Sequence, residues 1–538
     1  MIAPSRQAVK LALASSKGFG EHVIRAVSLG AEIDSEQGRL PLRLSRIFAS
    51  VVWPDPMAWA VRLSLGLLAL PCCAAPAWAH AAERGFVLLL PTGYYIVGGT
   101  LAVAASFLIF LIVPNPTVRR IVSARVQLCR VPRVPKAATS GVAFALLIWL
   151  VLAGLFGSRD PLENPLPLTV WTLWWGGITV THALFGNLWA LINPWIAPYR
   201  LLRRLGGRSG TAHLHLLPYP AWLGTWPATS GFLTFAWFEL VDPAPDDPAR
   251  LAVAVATYSA TTLVGMLLFG EQAWLSKAES FSVFFGFVAR LSPLRFESAE
   301  PTREPARSDR LSLSLAFPGS SLAKSEALPI GGMVFVLLTL AAVSFDGLSK
   351  TFWWLDLGGI NPLEFPGRTA VMSRNSLGLI LTWAALVVAY SLAIALGGWL
   401  AGERTTLKAP LGAFVFSILP ISIGYHFAHY LTTFMVNAQY AVLAIGDPFG
   451  RGWDLLGLGH REVTVSFLSN YDAVSIIWKL QVGGVVAGHV LAVFLSHIIA
   501  VERFPTARAA RASQLPLATL MIAYTLFGLW LLATPTAG

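Results

Sequence analysis

The residues with the clearest chemical potential lie in ISIGYHFAHYLTTFMVNAQY, residues 421–440, a long apolar run that carries His426 and His429. On a helix, positions i and i+3 share a face, so both imidazoles are expected to reach one point. Ionisable groups are costly in hydrocarbon and mark functional sites there by default. The next apolar run, VSIIWKLQVGGVVAGHVLAVFLSHIIA, brings His489 to similar depth, and WWGGITVTHALFGNLWALINPW adds His182. Imidazole ligation suits zinc, copper, nickel or iron, so a transition metal, zinc or copper, is the expected cofactor. An open coordination position would lower the pKa of a bound water to about 7 and create a nucleophile. Two histidines so close on one helix cannot serve stacked haems. A single buried histidine is more often a hydrogen-bonded helix contact than a ligand, the reading favoured for His182 alone. His497 is expected near the inner face, where it can snorkel, and His213, His215 and His460 fall in loops.

Carboxylates could act as bases or complete the metal shell. Glu239 sits at the outer end of the span in FAWFELVDP, Asp346 ends another span in AVSFDGLSKTFWWLD, and Asp447 opens the outer-loop segment DPFGRGWDLLG. These three are the expected catalytic acids, although each taken singly reads as a solvated helix end or a turn cap. Trp174, Trp353, Trp354 and Trp453 are expected in interfacial belts or at an aromatic entrance.

Those groups need a scaffold that crosses a bilayer. Of 538 residues, 55% are hydrophobic and only 12% charged, against roughly 25% charged in soluble domains. Apolar runs of about 20 residues recur along the chain, which predicts an all-α, polytopic integral membrane helical bundle with about ten spans. The expected spans are Leu88–Val113, Gly141–Gly157, Leu168–Ile192, Ala221–Val241 and Leu251–Gly270, then Leu328–Phe345, Ser376–Leu400, Leu411–Ile445, Val474–Ala500 and Leu515–Thr534. Period-two alternation is missing, which argues against a β-barrel. The net charge of +11 sits in short loops between spans, so it fits the positive-inside rule rather than nucleic acid. The loop from Pro114 to Ala137 holds only basic charge and is expected in the cytoplasm, whereas Asp242, Asp246 and Asp247 fall outside. Cys72, Cys73 and Cys129 lack the spacing of a disulfide framework.

Residues 57–79 read as a signal peptide: Arg62, an apolar stretch Leu63–Leu70, then Ala77-Trp78-Ala79. Cleavage would leave His80 as an extracellular N-terminus whose amine and imidazole could bind copper, and would mark residues 1–56 as an upstream extension. The remainder, 80–538, forms the transmembrane domain, with a Ser- and Pro-rich cytoplasmic linker near 291–327. The expected location is the bacterial inner membrane, with the mature N-terminus periplasmic or extracellular.

Six segments resemble a bacterial multi-pass membrane family described as fenitrothion hydrolases: PYPAWLGTWPATSGFLTFAWFELVDP, SFDGLSKTFWW, GINPLEFPGR, GYHFAHYL, GDPFGRGWDLLG and QVGGVVAGH. The resemblance runs from about residue 80 to near residue 500 and leaves out residues 1–56. It implies hydrolysis of an organophosphate triester at the phosphorus–aryloxide bond, with an apolar substrate arriving from the bilayer. Its motifs supply no catalytic assignments, so the histidine reading stands on the residues alone. The alternative is a transition-metal handling protein or transporter that uses the intramembrane histidines, and a structural subunit beside a partner membrane protein is the third reading.

Overall fold

The computed structural model describes residues 90–534, apart from 206–215, 299–309, 362–363, 365–366, 404–406 and 460. The extension 1–56, the signal-like segment, His80 and the three loop histidines therefore lie outside the described residues. In chain order the main elements are α1 (Thr92–Ile112), α2 (Asn115–Ser123), β1 (Arg125–Pro132), α3 (Lys136–Phe156), a π-helix (Leu168–Ile178), α4 (Trp226–Leu240), α5 (Pro248–Phe269) and α6 (Ser280–Val288). They continue with β2 (Leu294–Ser298), β3 (Arg310–Ala316), α7 (Ile330–Ser349), α8 (Arg368–Leu400), α9 (Leu419–Gly446), α10 (Tyr471–Arg503) and α11 (Ala507–Ala533).

The described residues form an all-α bundle with a small sheet, and eight helices are long and apolar enough to cross a bilayer. Helices satisfy their backbone groups internally, as hydrocarbon demands. The chain is thus read as membrane-embedded. Two of the expected spans take shorter forms. Helix α4 has 15 residues. The run from Leu168 is π-helical for 11 residues and ends at Gly186, whose φ of 94° terminates the following short helix.

Helix α7 is the hub. Its sequence IGGMVFVLLTLAAVSF is apolar all round, and 89% of its spanning window is buried, against 22% for α1 and α3. A helix with no polar face belongs inside protein, while α1 and α3 expose apolar faces. Helix α9 packs along α10 through small residues. A Cβ on Gly488 would meet the Pro420 carbonyl oxygen at 2.5 Å, and one on Gly424 would meet the Gly484 oxygen at 2.6 Å. Such backbone-to-backbone approach is how membrane helices gain packing without a hydrophobic drive. Gly484 and Gly488 of α10 therefore seat α9, whereas Gly483 faces open space.

Contacts between loops sort them to the two ends of the bundle. The sheet order is β1-β3-β2, antiparallel throughout. It joins the basic loop after α1 to the segment expected as a linker, so both lie at one end. Arg119 pairs with Glu502 at 3.1 Å at that same end. At the other, Arg159 pairs with Asp247, and Gly450 lies against Ser158. In the sheet, burial and then the nearby Arg125 charge pull the Arg295 guanidinium below its ordinary pKa.

Candidate functional site

Near the end of the bundle that carries Asp242 and Asp447, the π-helix, α4, α7 and α9 enclose a small cavity. Its polar lining is Glu239, Asp346, His426, Tyr430, Thr339 and Ser422, and it has room for about one water. Aromatic residues Trp175 and Phe284 close its sides.

Asp346 is the centre of the charge arrangement. It sits one turn from the end of α7 and is 4% exposed. One carboxylate oxygen lies 2.6 Å from Lys350 Nζ, four residues on, and the other lies 2.5 Å from His429 Nε2. A buried carboxylate is tolerated when such partners compensate it. Both partners reach toward the surface, with side-chain exposures of 28% for His429 and 44% for Lys350. Asp346 therefore joins the cavity to the protein surface.

Glu239 lines the same cavity with different compensation. The Tyr430 hydroxyl donates to Glu239 Oε1 and accepts from Trp175 Nε1 at 2.9 Å. Among the described residues no cationic side chain pairs with the Glu239 carboxylate. The nearby Arg368 donates instead to the Glu239 and Asp242 backbone carbonyls, at 2.9 and 3.3 Å. His426 is buried, and its Nε2–H donates to the Trp175 carbonyl at 2.8 Å, since a carbonyl can only accept. The π-helix presents Trp175 for both contacts. Such segments recur at functional sites because they re-aim side chains.

The structure brings together Glu239, Asp346, His426 and His429 from among the expected site residues, but not as a metal centre. Residues three apart on a helix diverge by about 60°. His426 accordingly turns to the π-helix and His429 to α7. His489 is buried on α10 beside Tyr425, with ring centroids 5.9 Å apart; its Nδ1–H donates to the Val485 carbonyl at 2.9 Å. His182 uses both nitrogens locally: Nδ1–H donates to the Ile178 carbonyl at 2.7 Å, and Nε2 accepts from the Trp189 amide at 2.8 Å. Among the described residues, no group of three or more His, Cys, Asp or Glu side chains is arranged to hold a metal ion. The imidazoles present do not fit the expected shared shell.

Asp447 stands apart from the cavity and accepts from the amides of Arg451 and Gly452 at 2.9 and 2.7 Å, capping a turn. His497 is buried rather than snorkelling, with Nδ1 3.1 Å from Gln514 Oε1. Three contributors escaped the sequence reading. Lys350 was legible as the i+4 partner of Asp346, and Tyr430 sits beside His429. Trp175 carried no signal, because only the π-helix distinguishes it from Trp174, which packs 4.5 Å from Phe281. Comparison with family models, curated proteins and solved structures gives no match.

Proposed function

We propose that the chain is a membrane-embedded proton-transfer protein, a proton-coupled transporter in which Asp346 links the surface to a buried acid. One observation carries this reading: Asp346 lines the cavity beside Glu239 while each of its own carboxylate oxygens is held by a basic side chain that reaches the surface. Chains of intramembrane carboxylates and histidines are the usual material of proton relays. His429 and Lys350 connect Asp346 to the surface. Asp346, stabilised by their charge, works as the anion. Glu239, held by the Tyr430 hydroxyl and by no cationic side chain among the described residues, is the group that takes up and releases the transferred proton, with one cavity water bridging the carboxylates. No step runs through a metal.

Ten crossings in the inner membrane, with the segment 57–79 removed and the basic loops cytoplasmic, complete the proposal. The site then opens outward. The direct test needs no cargo. Infrared difference spectra of the purified chain between neutral and alkaline pH should contain a protonated carboxyl band that Glu239→Gln removes. Asp346→Asn should slow pH-driven proton flux into vesicles, and His497→Ala should not. A carboxyl band unchanged by Glu239→Gln would end this reading.

A second reading, hydrolysis of an aryl phosphotriester, is favoured by one coincidence. Three of the segments that carry the resemblance also carry polar groups of the cavity or partners of Asp346: Glu239 in the first, Asp346 and its partner Lys350 in SFDGLSKTFWW, and His426, Tyr430 and the partner His429 in GYHFAHYL. Here a carboxylate takes a proton from the cavity water as its oxygen attacks phosphorus, and the aryloxide leaves with the bonding pair. Substrate would have to open the cavity, which holds little more than that water. Aryloxide release by purified chain, lost in Asp346→Asn, supports this reading; none at any substrate concentration removes it.

A further inference from the structure

The sheet is amphipathic in an inverted sense. Residues directly opposite across antiparallel strands share a face. One face therefore carries Val126, Leu315 and Leu294, followed by Cys129, Leu313 and Phe296. The other carries Gln127, Ser314 and Arg295, then Arg130, Ser312 and Glu297. In a sheet bathed by water the apolar face would be the covered one. Here Ser314 is 8% exposed, whereas Val126, Phe296 and Leu315 are 61%, 47% and 43% exposed. The polar face is covered along its middle, where Arg295 donates to the Arg290 carbonyl at 3.2 Å, while Gln127, Arg130 and the Arg125–Glu297 pair stay exposed.

Chain connection fixes the depth of this face. Helix α3 starts at Lys136, four residues beyond the last residue of β1. Four residues reach about 14 Å at most, so the strand stays at the membrane surface. Gly186 lies against the Phe296 ring, and the neighbouring Leu184 and Phe185 are each 50% exposed, so the apolar surface continues onto the bundle. Exposed Arg120, Arg130 and Arg133 flank it, and the segment from Pro114 to Ala137 has no acid.

We propose that the β1-β3-β2 sheet seats its apolar face in the lipid of the basic-side leaflet, with the flanking arginines among anionic headgroups. Apolar burial and charge attraction together define an interfacial element, and each basic residue near such a surface adds to the attraction. The proposal needs the bundle to be membrane-embedded but is independent of proton transfer. Which leaflet it is in absolute terms follows from the topology proposed above.

The full chain, with Cys72, Cys73 and Cys129 changed to serine, would carry one fluorescent label at Val126→Cys or Leu315→Cys, with Gln127→Cys and Ser312→Cys as polar-face controls. In nanodiscs of mixed neutral and anionic lipid, the apolar-face labels should shift to shorter wavelength. Nitroxide lipids should quench them and iodide should not. Replacing Arg120 and Arg130 by glutamine should remove the dependence on anionic lipid. Equal iodide quenching on both faces would overturn the proposal. So would shielding from iodide without nitroxide quenching, which would assign the face to a second copy or another protein. Failure of the infrared test above would leave these outcomes unchanged.

Discussion

Tyr430 is the residue on which the two halves of the cavity depend. Its hydroxyl accepts from Trp175 and donates to Glu239, so a single atom ties the π-helix to α4 through α9. Tyr430→Phe keeps the ring but leaves a carboxyl and an indole N–H without partners. Leaving buried polar groups unmade costs about 1–3 kcal/mol. Thermal unfolding in detergent should fall by a few degrees, and the carboxyl band assigned to Glu239 should move. His489→Ala should leave that band in place, because His489 touches neither carboxylate. The contrast shows why part of the site was readable and part was not. Histidines and acids in apolar runs announce themselves by the cost of placing them there. Which ones meet depends on helix rotation, and that is how His489 came to be grouped with His426 and His429.

Elements were legible where composition alone decides them. Uniformly apolar runs such as α7 become helices whatever surrounds them, and small residues on α10 signal a close neighbour without naming it. The identity of that neighbour, α9 through Gly424 and Pro420, is a tertiary fact. Gly488→Ala would drive a methyl group against the Pro420 carbonyl, where no flexible side chain can yield. Overpacking of this kind costs about 1–3 kcal/mol. The variant should unfold at lower temperature, while Gly483→Ala, which meets nothing within 4 Å, should not. The strands were missed for a plain reason. β1 and β3 lie far apart in sequence, and the period-two alternation of RLSLSLA, itself a strand signal, is short and sits beside a Ser- and Pro-rich stretch that reads as linker.

Across the whole molecule, the alternation of basic and acidic loops agrees with which loops touch. Charges put the segments around Arg125 and Arg310 on one side, and the β1-β3 ladder joins them. The same charges put Asp247 with Asp447, and the contacts of Arg159 and Ser158 lie at that end. Orientation in the cell follows as a prediction. In intact cells, a cysteine introduced at residue 450 should react with an impermeant thiol reagent, and one at residue 125 should not. Labelling at 125 alone would turn the molecule over and put the cavity mouth on the cytoplasmic side.

The π-helix from Leu168 to Ile178 carries a consequence for length rather than for side chains. A π-helical turn holds one residue more than an α-helical turn, so deletion of one residue within it lets the segment relax to the commoner form. The residues inside the segment after the cut then shift register by one position, about 100° around the axis, while the helix beyond keeps its facing. Removing Thr172 should swing Trp175 off both Tyr430 and His426 while every side chain of the cavity keeps its identity. Such a deletion variant should insert and reach the membrane at ordinary levels, yet lose the Glu239 carboxyl signal. Adding one residue back within the same segment should restore that signal, because what the site requires there is a count of residues.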